Sequence, residues 1–118
     1  MAEGASVMLA TTIDPGQLRT EFSLEQATPV GDGMGGHVEQ WDEVATLFGR
    51  IEPVTAGVRF GAGQALETVT HRVTIRRRDG ILSGMRLGKG ARRFAIVSIH
   101  DPDESGRYLV LRTREEGA

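Results

Sequence analysis

From residue 69 to 78 the chain alternates strictly, with Val69, His71, Val73 and Ile75 on one parity and Thr70, Arg72, Thr74, Arg76 and Arg78 on the other. Side chains of an extended strand point to opposite faces in turn, so this segment offers one face to a core and one to solvent or a partner. A helical winding would scatter the same apolar groups around its circumference, and β-branched Val, Thr and Ile favour the strand. Asp79-Gly80 then turns the chain. A sheet with one buried face is the starting constraint.

Other segments obey it. Over residues 18–26, Phe22 and Leu24 share a parity opposite Glu21, Ser23 and Glu25, which predicts a strand. Met85 and Leu87 predict a short strand and Gly88-Lys89-Gly90 a tight turn. In residues 93–100, Phe94, Ile96, Val97 and Ile99 place apolar groups on both faces, as in a central or barrel strand. Asp101 to Gly106 reads as a turn, and Tyr108, Leu109, Val110 and Leu111 as the last strand. Residues 37–51 fit two patterns: Val38, Trp41, Val44, Ala45 and Phe48 make a helical stripe, while Val44, Thr46, Phe48 and Arg50 against Ala45, Leu47 and Ile51 make a strand. Periodicity leaves both open, and Pro53 ends the element either way. Residues 57–66 contain three glycines, which permit at most a short helix.

Many short strands with glycine-rich turns and no internal repeat predict an all-β fold, a small antiparallel barrel or sandwich with one short helix and a long hairpin loop. At 118 residues the chain forms one domain, able to bury roughly two-thirds of its unfolded surface. We place a flexible arm at 1–17, closed by Asp14-Pro15-Gly16, the domain at 18–114 and a tail at 115–118. Without cysteine, disulfides and thiolate metal sites are excluded. No apolar run approaches the roughly 20 residues of a membrane span, and residues 1–12 lack the basic start of a signal peptide, so a soluble protein made in the cytoplasm is expected.

A net charge of −2 gives no case for a general nucleic-acid binder. The charge is nonetheless polarised: residues 1–70 carry ten acids and three bases, residues 71–93 eight bases and one acid, and residues 94–118 five acids and three bases. Opposite signs on different faces suit head-to-tail association, and neighbouring strands in one sheet suit them equally.

Several motifs are near misses. Gly31, Asp32, Gly33, Met34, Gly35 and Gly36 have the spacing of a dinucleotide-binding turn, but they follow Thr28-Pro29 outside any βαβ unit, and no Lys-Ser or Lys-Thr follows. They read as a mobile hairpin loop over residues 29–36. The run from Asp101 to Gly106 copies the opening of a calcium loop, yet its twelfth position is Arg112 instead of a bidentate acid. His37, His71 and His100 lack ligand spacing, and no nucleophile elbow or carboxylate pair is present, so no catalytic residue, metal or cofactor is assigned. Arg72, Arg76 and Arg78 share a strand face and are candidates for a subunit contact or for facing DNA; the plainer reading pairs them with Glu21 and Glu25. Trp41 is expected to anchor the core.

Taken in order, Leu18-Arg19-Thr20-Glu21-Phe22-Ser23-Leu24, the Gly35-Gly36 loop, Trp41, residues 44–53 ending in Pro53, Gln64, residues 70–76, Gly80-Ile81, Met85-Arg86, residues 93–96 and residues 107–111 resemble the phage head–tail joining protein family, also called head-closure or stopper proteins. The resemblance spans residues 18–114 and implies a strand at 38–51. It also implies a structural neck protein assembled in the bacterial cytoplasm, a homo-oligomeric ring of six or twelve copies. Such a ring sits between the portal–adaptor complex and the tail terminator and passes packaged double-stranded DNA without reading its sequence. On this reading the loop at Gly31, Asp32, Gly33, Met34, Gly35 and Gly36 docks or gates, and Gly57, Val58, Arg59, Phe60, Gly61 and Gln64 are candidates to line the channel. A tail terminator or other neck ring, and a small β-barrel binding module of the host cell, are the alternatives.

Overall fold

The computed structural model describes residues 13–54, 59–60 and 67–117, the side chains of Arg59, Phe60 and Glu67 excepted. These residues form β1 (Thr20–Gly31), β2 (His37–Pro53), β3 (Arg59–Phe60), β4 (Glu67–Thr68), β5 (His71–Arg76), β6 (Arg86–Lys89), β7 (Arg92–His100) and β8 (Tyr108–Glu116). Six of them close into a barrel in the order β1-β2-β5-β8-β7-β6, each neighbour antiparallel and β6 returning to β1. Strands β3 and β4 pair separately. The expected all-β class holds, and the ambiguous residues 37–51 are strand.

Alternation builds the core. Phe22 and Leu24 from β1, Leu47 from β2, Val73 and Ile75 from β5, Leu87 from β6, Phe94 and Ile96 from β7 and Leu111 from β8 all point inward, and Ile81 and Met85 join them from the β5–β6 connection. Each such side chain contributes about 1.5–3 kcal/mol by leaving water. Thr113 is wholly buried among them, its hydroxyl satisfied by donating to the His71 carbonyl at 2.9 Å. The barrel closes where Ser23, Leu24 and Glu25 meet Gly88, Leu87 and Arg86. A Cβ at Gly88 would stand 2.5 Å from Ser23 Oγ and 3.1 Å from the Arg93 guanidinium, so a side chain there would displace both of those side chains.

Two bulges change the phase of the pattern. In β2, Ala45 faces Leu24 and Glu43 faces Glu25, leaving Val44 as the extra residue. In β7, Ile96 faces Thr113 and Ser98 faces Arg112, leaving Val97 extra. The second bulge explains why apolar residues occupy both parities there: Ile96 and Ile99 both turn to the core because the phase shifts between them.

Several local expectations need correction. Pro29, Val30 and Gly31 continue β1, so the hairpin loop is residues 32–36; a proline is accommodated because β1 has no second partner strand beyond Glu25 among the described residues. Gly88 and Lys89 belong to β6, and the turn is Gly90-Ala91. Arg78 lies past the end of β5. The helical piece among the described residues is a 3-10 turn, Pro15–Gln17, capped by Asp14, whose Oδ1 accepts from Gly16 N at 2.9 Å. Of the segment where a short helix was expected, residues 59–60 are extended and pair with 67–68; Gly57, Val58, Gly61 and Gln64 lie outside the described residues, as do residues 1–12.

Candidate functional site

Among the described residues, strand β1 beyond Glu25 keeps only β2 as a partner, and β2 meets β5 only from Gly49 onward. Residues 26–31 and 37–42 therefore leave the barrel as a two-stranded ribbon, about 20 Å long at roughly 3.3 Å per residue. One ribbon face carries the cross-strand pair Val30 and Val38, both exposed. The other carries Pro29 opposite Glu39 and Ala27 opposite Trp41.

The tip is an ordered loop. Asp32 Oδ1 accepts from Met34 N at 2.7 Å and from Gly36 N at 3.0 Å, and Asp32 N donates to the Gly36 carbonyl at 3.1 Å. Gly33 and Gly35 take φ of +81° and +84°, where a side chain would be strained. In the conformation seen, these glycines and the Asp32 bonds form one compact turn. Met34 projects from it, 90% exposed.

An ionic cluster fixes the ribbon root. Glu25 is 8% exposed and accepts from Arg86 Nε at 2.6 Å, with Arg93 Nε at 3.3 Å. The Arg86 guanidinium lies 4.0 Å over the Trp41 ring and 3.9 Å from Glu116. Two acids face two bases, so the burial is compensated. Trp41 is thus half-buried under a cation and stands outside the core cluster; Phe22 and Phe94 take the anchoring role expected of it.

The outer face of β2, β5 and β8 is basic. Register puts Glu52, Arg72 and Arg112 in one row and Arg50, Thr74 and Val110 in the next, followed by Arg76 beside Tyr108. Glu52 pairs with Arg50 at 3.1 Å and Arg72 at 3.4 Å, so Arg72 is not partnered by Glu21 or Glu25. Arg72 and Arg76 share this face, whereas Arg78 follows the strand. Arg50 and Arg112 were missed by sequence reasoning; strand parity marks Arg50 outward, but only register brings it beside Arg72. His100 pairs across to Val110 at this edge. Burial first, then Arg112 and Arg72, pull its pKa below the usual 6.5 against a smaller opposing effect of Asp101.

Where β2 and β5 part, above the Gly49–Ile75 pair, a groove of about 400 Å³ opens. Pro15, Leu18, Thr46, Leu47, Phe48 and Ile75 line it, with Arg76, Arg77 and Arg78. Phe48 is 53% exposed there. Of the residues singled out, the tip loop ends the ribbon, Arg76 and Arg78 border the groove near the other end of β1, and Arg72 pairs with Glu52 further along the sheet; Gly57, Val58, Gly61 and Gln64 lie outside the described residues. Asp101 and Asp103, which copy a calcium loop, spend their carboxylates on the backbone N–H groups of Asp103, Gly106 and Ser105. Among the described residues no cluster of three metal-binding side chains occurs.

Comparison with known proteins gives one family and two structures. The model of the phage head completion protein family matches residues 13–116. A chain from the virion of a native gene transfer agent particle superposes with a TM-score of 0.61 at 25% identity, covering 86% of this chain and 96% of the other. A protein of Shigella flexneri 2a, solved in solution, superposes with a TM-score of 0.64 at 23% identity, covering 89% and 98%, a likeness of fold alone. No curated protein sequence matches.

Proposed function

The chain belongs to the phage head completion protein family, structural components of the virion and not enzymes, and from that premise we propose that it is the ring-forming head-closure, or stopper, subunit of the neck. Copies of the barrel encircle the DNA path between the portal–adaptor complex and the tail terminator. Packaged duplex DNA passes through without sequence-specific contacts, and the protein needs no cofactor. The superposable virion chain of the gene transfer agent supports a place in such a particle.

The observation that carries the ring is the ribbon. A barrel that satisfied itself would have no use for a hairpin reaching about 20 Å past its last barrel partner, tipped by a methionine 90% exposed. Exposed apolar groups on a projecting arm mark a surface suited to a neighbour. The ribbon tip, Gly31 to Gly36, is the docking element in this reading, and the segment with Gly57, Val58, Arg59, Phe60, Gly61 and Gln64 faces the channel and helps retain DNA. Deleting residues 57–66 then leaves rings intact but lets DNA escape; unchanged retention would remove that segment's gating role.

The test is a producer strain lacking this gene. Heads should package DNA, lose it, and fail to take on tails, with all three defects corrected by the intact gene in trans. Normal tailed, DNA-filled particles without the protein would overturn the reading.

A further inference from the structure

We infer that neighbouring copies of this chain join head to tail, the acidic ribbon of one copy seated in the arginine-rimmed groove of the next. The inference rests on the ring reading and names its contact. Residues 26–44, the ribbon with its root, carry Asp32, Glu39, Asp42 and Glu43 and neither lysine nor arginine. Glu39 has no ion-pair partner among the described residues. The groove offers the opposite sign. Arg76 has no ion-pair partner among the described residues, and Arg77 has only an exposed contact with Asp79 at 3.4 Å. Both surfaces also expose apolar groups, Val30, Val38 and Met34 on the ribbon and Phe48 in the groove.

Placement decides between contact within one copy and contact between copies. Val38 and Phe48 lie on the same strand, β2, ten residues apart, which is roughly 30 Å at about 3.3 Å per residue. A continuous strand cannot bring its own ends together, so the complementarity is met only by a second copy. Two different patches meeting in this way make a heterologous interface, which closes into a ring when the rotation between copies permits. The competing occupant, residues 1–12 of the same chain, holds a single acid, Glu3, against the ribbon's four.

The experiment compares chains assembled on the portal–adaptor complex. One carries E39K with D42K, a second R76E with R78E, a third all four changes; the four sites are exposed, and melting curves check that each chain folds. Rings should be lost in the first two and regained in the third. Mixing the first two chains on the platform should restore rings of alternating copies, because every ribbon then meets a groove of opposite charge. Wild-type rings accompanied by equally good rings from both reversed chains would overturn the inference while leaving the ring reading intact. Loss of rings on deleting residues 1–12, with the reversals harmless, would assign the groove to that segment instead. Absence of wild-type rings on the platform would bring down both.

Discussion

Glu25 of β1 and Arg86 of β6 are register partners at the seam that closes the barrel, and their side chains meet at 2.6 Å. The same guanidinium covers Trp41 of the ribbon at 4.0 Å. One ion pair therefore joins two structural decisions, the closure of the barrel and the angle at which the ribbon leaves it. Glu25 is nearly enclosed, and removing it takes the nearest carboxylate from two arginines at once, Arg86 and Arg93.

Replacing Glu25 by Ala should accordingly cost about 3 kcal/mol, the lower end of what breaking a buried pair costs. Denaturant unfolding measures it, and a cycle with Arg86→Met should show strong coupling between the two sites. A loss below about 0.5 kcal/mol, the ordinary size of a surface change, would show that the pair holds nothing.

Gly49 predicts a contrast with Gly31. A Cβ at Gly49 would lie 2.7 Å from the Thr74 carbonyl oxygen and 3.0 Å from Ile75 Cγ2, whereas nothing stands within 4 Å at Gly31. Gly49→Ala should destabilise by about 2 kcal/mol through overpacking. Gly31→Ala should be close to neutral. The urea midpoint should move for the first, with the slope unchanged.

His100 predicts a pH dependence. Its pKa is lowered by burial, then by Arg112 and Arg72, with Asp101 opposing, so the unfolded chain binds the proton more readily than the folded one. The stability linked to it is complete above the ordinary value of 6.5 and is lost as pH falls through the folded value. Its Nδ1 is buried without a hydrogen-bond partner among the described residues, so His100→Leu sacrifices no bond seen there. Melting temperature followed from pH 7.5 downward should fall earlier in the wild type than in this variant. Glu115, held below 4.5 by its bond from Arg92, contributes only in a lower window. Parallel curves would exclude His100 as the cause.

Asp32 predicts a local effect. Asp32→Ala removes the acceptor for the Met34 and Gly36 amides at the ribbon tip. Amide exchange at those two residues should quicken, while the melting temperature of the barrel, built from other strands, should stay within about 2 °C.

The strands were legible in the sequence wherever one face is buried and one is wet. In residues 69–78, Val73 and Ile75 are buried and Arg72 and Arg76 exposed, as alternation requires, while Thr74 on the outward parity is buried as well. The bulges at Val44 and Val97 were not legible, because a bulge is a relation between two strands and leaves no fixed mark on either. Trp41 misled through its size: an amphipathic ring packs as well under a guanidinium as in a core. The acid partner of Arg72 came out as Glu52 because register, which follows from the closed barrel, decides which charges meet. Glycines 33 and 35 were legible as loop residues, but the bonds from the Met34 and Gly36 amides to Asp32 that close the turn were not.

The head-closure account stands most directly on electron microscopy of the protein added to its assembled portal–adaptor complex. It predicts a ring seated on that complex, with an open centre wide enough for duplex DNA. A protein that stays monomeric with the platform supplied would contradict it.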